Sequence, residues 1–144
     1  MTLTKDFTLA SQEYLDVIHG HNYYNPLLAM APKQVDKLSP EMKEFLNKKG
    51  STVDVYGVAI KAGHTGKGLL SKMMNASCQL AQEKGFKHAF CFAVNSRTAA
   101  GCKRSGFDQV GQYDCREQEY QGIRVFSEIA EEEKWSNIWF KKLS

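Results

Sequence analysis

The chain has 144 residues and a mass of 16.3 kDa, the size of one domain. With 42% hydrophobic and 24% charged residues it can bury a core, which excludes a disordered tail. Nineteen Lys and Arg against sixteen Asp and Glu leave +3, too small an excess to argue for nucleic acid, and no apolar run approaches the ~20 residues that span a bilayer.

Residues 1–51 are polar, weakly periodic and hold all three prolines, Pro26, Pro32 and Pro40. Residues 2–8 read as the remnant of a strand. Gln12–His19 predicts a short helix with Ser11 as N-cap and Tyr14, Leu15 and Ile18 as its apolar side, broken by Gly20 and the Asn22–Pro26 stretch. Glu41–Lys48 predicts a second, with Ser39 as N-cap, Pro40 at the first helical position and Gly50 past the end.

From residue 52 the signals sharpen. Thr52–Lys61 (TVDVYGVAIK) is rich in β-branched and aromatic residues and predicts a strand. Leu69, Leu70, Met73, Met74, Ser77, Leu80 and Ala81 recur at helical spacing, so residues 67–84 predict a helix ended by Gly85. His88–Val94 is a continuous apolar run, which suits a strand covered on both faces. Asn95 or Ser96 caps a helix over 97–104, ended by Gly106; Gln109–Tyr113 and Ile138–Leu143 read as further strands. The order is β-α-β-α-β-β. A crossover helix makes its first two strands parallel neighbours. The whole is one α/β domain of layered α+β type, a mixed central sheet flanked by helices.

The cysteines at 78, 91, 102 and 115 form no C-x-x-C pair, and no Cys/His cluster has metal-ligand spacing. Four separate reduced thiols, no metal and a cytoplasmic protein are expected. His19-Gly-His21 lacks partner ligands, His88 reads as a structural histidine, and Glu131-Glu132-Glu133 reads as a solvated tip.

One segment carries chemistry. The strand runs into Ala62-Gly63-His64-Thr65-Gly66-Lys67-Gly68 and straight into the Leu69 helix. The first amides of that helix have no intrahelical acceptor, and the helix dipole adds partial positive charge. Gly66 and Gly68 let backbone approach a phosphate without a Cβ in the way. A nucleoside-triphosphate loop needs G-x-x-x-x-G-K-[ST], and Lys61 and Gly68 break it twice. A dinucleotide loop needs G-x-G-x-x-G, and Ser71 breaks that.

Gly63-His64-Thr65-Gly66-Lys67-Gly68 instead resembles the acetyl-CoA loop of the GNAT N-acetyltransferase superfamily, [QR]-x-x-G-x-[GA], with only the first position departing. Asn95, Ala99 and Ser105-Gly106-Phe107 resemble the family's N-x-x-x-A helix ending in G-F, and the terminal strands resemble its arylalkylamine-type branch. The resemblance covers about residues 52–144. It implies transfer of an acetyl group from acetyl-CoA to a primary amine of a small molecule. Backbone at Val58, Ala59 and Ile60 would bond the pantetheine arm, and amides at His64, Thr65, Gly66, Lys67, Gly68 and Leu69 the diphosphate. Asn95 and Lys103 would join the cofactor site, with Lys67, Lys72 and Arg97 also within reach of phosphates. The strands at 52–61 and 88–94 would splay around the thioester.

The amine must lose a proton and the departing thiolate must meet one. Asp54 and Tyr56 share one face of the strand by period-two spacing and are the candidate bases. Cys102 stands where the family often has a tyrosine acid, five residues before Phe107; the same thiol also suits a packed helix. The family opens with a strand, two helices and two strands before the cofactor strand. Here 51 residues precede Thr52, which implies a shortened N-terminal part and an uncovered sheet edge suited to homodimerisation. A CoA-binding module without efficient chemistry is the alternative. A nucleotide-binding protein is disfavoured by Lys61 and Gly68.

Overall fold

Helices cover both faces of one mixed sheet. The computed structural model describes residues 3–6, 30–56 and 60–143. In chain order these give β1 (Leu3–Asp6), α1 (Met30–Asp36), α2 (Pro40–Asn47), β2 (Thr52–Tyr56), α3 (Leu69–Glu83), β3 (His88–Ala93), α4 (Ser96–Arg104), β4 (Asp108–Asp114) and β5 (Trp135–Lys142). The sheet order is β1-β2-β3-β5-β4; β2 and β3 are parallel and every other neighbouring pair is antiparallel. The β-α-β-α-β-β order from Thr52 onward is the one the sequence predicts. The Gln12–His19 helix, His19 and His21 lie outside the described residues.

Period-two alternation along the strands sorts the core into two layers. Val53, Val55, Ala89, Cys91 and Ala93 pack against Met74, Cys78 and Ala81 of α3 and Cys102 of α4. The residues between them, with Phe90 and Ile138 foremost, pack against Leu38 and Leu46 on the opposite side. β3 has partners on both faces, as its unbroken apolar run requires. Three of the four cysteines are therefore not separate: Cys78, Cys91 and Cys102 meet in one layer.

Local chemistry sets the helix ends. Ser39 caps α2 through Met42 N, with Pro40 at the first position. Asn95 caps α4 by accepting from Thr98 N at 2.9 Å. Beyond α3 the chain reverses at Gly85, in the left-handed region at φ 90°.

β2 is described over Thr52–Tyr56; residues 57–59 lie outside the described residues, and Ile60 and Lys61 beyond them are irregular. Three features differ from expectation. α1 is a helix beyond those expected; Pro32 falls in its first turn, where no intrahelical N–H is needed. β5 begins three residues early because its polar start is paired, the buried Ser136 hydroxyl accepting from Gln34 Nε2 of α1. Along α3 the apolar stripe is narrower than the spacing suggests. Met74 is buried, Met73 only partly, and Leu80 is 52% exposed.

α3 and α4 meet at Gly101, which is buried. A Cβ there would stand 2.4 Å from Leu70 Cδ2 and 2.8 Å from Leu70 Cγ. Gly101→Val should cost about 1–3 kcal/mol of overpacking, read as a lower urea midpoint at unchanged slope.

Candidate functional site

The sheet opens between its two parallel strands. Thr52, Val53 and Asp54 pair with His88, Ala89 and Phe90, and there the ladder stops. Beyond it, Val55 and Tyr56 pair with β1, while Cys91–Ala93 pair with β5. Both strands continue with their facing sides released from each other, the splay that the sequence resemblance implies.

The glycine turn leads away from this opening into α3. His64 N donates to Lys61 O at 3.1 Å, and Gly63, Gly66 and Gly68 take φ of 84°, 77° and 68°. Gly68 is the N-cap of α3 and carries no side chain to cap it. The first helical bond runs from Lys72 N to Gly68 O, so the amides of Leu69, Leu70 and Ser71 precede it without intrahelical acceptors. Ser71 Oγ, in the same turn, is buried with no hydrogen-bond partner among the described residues. A Cβ at Gly66 or Gly68 would meet nothing within 4 Å, so open space faces this backbone.

That space is a cleft of about 540 Å³ between the turn and α4, within the ~300–1,000 Å³ of small-molecule sites. Ile60, Thr65, Gly66, Gly68 and Leu69 of the expected set line it. His64 and Lys67 are exposed in the turn, outside the cleft wall. Val58 and Ala59 lie outside the described residues. Asn95 spends its side-chain oxygen capping α4. Lys103 is exposed, and Arg104 beside it lines the cleft instead, together with Ser96 and Arg97. Ser96 and Arg104 are thus additions to the expected site. Helical spacing carried a signal for one of them: Arg97, Ala100 and Arg104 fall at i, i+3 and i+7, on one face.

The candidate proton carriers sit deeper. Asp54 is 0% exposed, not at a solvated strand end. It shares a strand face with Thr52, whose hydroxyl donates to Phe45 O of α2 at 2.8 Å. Tyr56 is the β2 residue paired with Leu3. Cys102 is also 0% exposed and packs in the α3–α4 layer, away from the cleft wall. Its hydrogen bond with Cys91, together with burial and the nearby Asp54, pushes the Cys91 thiol well above its ordinary value.

Two further expectations resolve. His88 stacks on Phe45 at 4.3 Å, with Nδ1 3.2 Å from Ser51 Oγ; burial first, then Lys142 and Lys48, keep its pKa below the ordinary value. It is a packed structural histidine. The Glu131–Glu133 turn is not simply solvated. Glu131 accepts from Arg116 and Lys134, and Glu133 accepts from Ser96 N at 2.9 Å and Ser96 Oγ at 2.6 Å. These bonds hold the Glu133 carboxyl below its usual range and tie the segment before β5 to the N-terminus of α4. Among the described residues no group of three or more His, Cys, Asp or Glu is placed to hold a metal, and no helix is long and apolar enough to cross a membrane.

No family model and no curated protein sequence matches the chain. Solved structures do. Arylalkylamine N-acetyltransferase 2 from Aedes aegypti superposes with a TM-score of 0.75 at 14% identity, over 99% of this chain and 66% of its own. A mosquito arylalkylamine N-acetyltransferase-like protein gives 0.72 at 12%, over 99% and 66%. The Drosophila melanogaster polyamine N-acetyltransferase that forms N-acetylagmatine gives 0.74 at 9%, over 99% and 67%. The chain spans about two thirds of the length of these structures. Its architecture is that of the GNAT acyl-CoA N-acyltransferases.

Proposed function

We propose that the protein is an N-acetyltransferase that moves an acetyl group from acetyl-CoA to a primary amine of a small molecule. The observation that carries this reading is the uncapped start of α3 facing the cleft, with Gly66 and Gly68 in left-handed conformation and open space before them. Free amides and a positive helix end are a donor set for a diphosphate. The shared architecture with amine acetyltransferases supports the same reading.

Bound acetyl-CoA supplies an acetyl thioester. The amides from Gly66 to Leu69 hold its diphosphate at the mouth of α3. In this reading backbone at 58–60, which follows β2 in the chain, takes the pantetheine arm. The thioester then lies in the gap past Asp54 and Phe90, where pairing of β2 with β3 stops. The amine nitrogen attacks the carbonyl carbon; a C–N bond forms, the C–S bond breaks, and the sulfur departs as thiolate. Asp54, buried on the cofactor strand next to the opening, accepts the proton the amine loses, with Tyr56, two residues further along the chain, as the alternative base. Cys102 stands at the family's acid position, enclosed in the core, so the thiolate leaves without a proton from it.

That enclosed thiol is also the observation favouring a second reading, a module that binds CoA with little chemistry. Thiol release in the presence of acetyl-CoA and a panel of arylalkylamines and polyamines separates the two. Turnover on any of these amines supports the transferase. Tight acetyl-CoA binding without turnover on any of them supports the module.

Gly66→Val places a branched side chain in the cleft at a backbone angle unfavourable by ~1–2 kcal/mol. Calorimetry should show acetyl-CoA affinity lowered at least tenfold in a protein that still folds; wild-type affinity would rule out the phosphate turn. Asp54→Asn should lower kcat by roughly 10²-fold or more with KM for acetyl-CoA little changed, whereas Cys102→Ala should keep the wild-type pH–rate profile.

A further inference from the structure

The cleft has a second cationic region that the diphosphate does not use. Arg97 and Arg104 line the wall opposite the glycine turn, seven residues apart on α4. At 1.5 Å per residue they stand about 10 Å apart along the axis. The two ends of this wall differ. α4 starts directly after β3, so its N-terminus lies at the sheet opening, where Ser96 is tied to Glu133. Glu133 is close enough to Arg97 to feel its charge, and offsets it there. Arg104, at the far end, makes no ion pair among the described residues.

CoA has the same polarity. Its sulfur lies at one end, its diphosphate in the middle and its phosphorylated ribose at the other. With the sulfur at the opening and the diphosphate on α3, the ribose end falls toward Arg104. We propose that Arg104 recognises the ribose 3′-phosphate and makes the cleft select CoA over dephospho-CoA, an inference that rests on the CoA reading above. A guanidinium offers two parallel N–H donors to a phosphate, which a lysine at the same place cannot match.

Calorimetry with CoA and with dephospho-CoA tests this, circular dichroism checking that each variant is folded. The wild-type chain should bind CoA about tenfold or more tightly than dephospho-CoA. Arg104→Ala should bring the two affinities within about twofold by weakening CoA alone, and Arg104→Lys should keep part of the preference. Arg97→Ala should keep the preference. Equal wild-type affinities, or a preference untouched by Arg104→Ala, overturn the role of Arg104 and leave the CoA reading standing. Binding of neither compound overturns both.

Discussion

The first turn of α3 has nothing of its own to satisfy it. Gly68 contributes no side chain, the amides that follow have no acceptor behind them, and Ser71 adds a buried hydroxyl with no partner among the described residues. A helix end in that state needs solvent or a ligand to supply oxygen atoms. Two other helices are not left this way. α2 has Ser39 and α4 has Asn95, each with a capping hydrogen bond. The start of α3 keeps its donors free of protein partners, and it opens on a cleft.

The sheet contributes the second half of the arrangement by what it leaves unmade. Parallel strands joined by a crossover helix ordinarily pair along their length. Here pairing stops after Asp54 and Phe90, and each strand is kept extended by its outer neighbour instead. β1 and β5 thus preserve a gap that a narrower sheet would close. The close meeting of Leu70 with Gly101 then brings α4 against the start of α3, so that the cleft has a second wall.

Much of this was legible in the sequence because local and global signals agree. The glycines, the apolar runs and the Ser39 and Asn95 caps each specify their element without help from distant residues. Where reading failed, tertiary partners decided. Ser136 and Asn137 look like loop residues until α1 brings Gln34 to Ser136. α1 goes unread because residues 30–36 carry weak periodicity, and Pro32 is tolerated there by its place in the first turn. The Glu131–Glu133 run looks solvated until Ser96, 37 residues earlier, is found beside Glu133. Arg104 belonged to a visible helical face, but only the packing of α4 against α3 shows what that face borders. Cys102 was legible as either an acid or a filler, and its burial among Cys78 and Cys91 is a property of two packed layers that spacing does not encode.

β5 lies between β3 and β4, though it follows both in the chain. As the polypeptide emerges during synthesis, β1, β2 and β3 can pair early, but β4 has no described neighbour until residues 135–142 arrive. The Glu133 tie to α4 is available only at that same stage. The wall that faces the cleft therefore stands on an unfinished support until residues 135–142 have been made. Loss of those eight residues would not trim an edge but remove the strand that joins β4 to the rest.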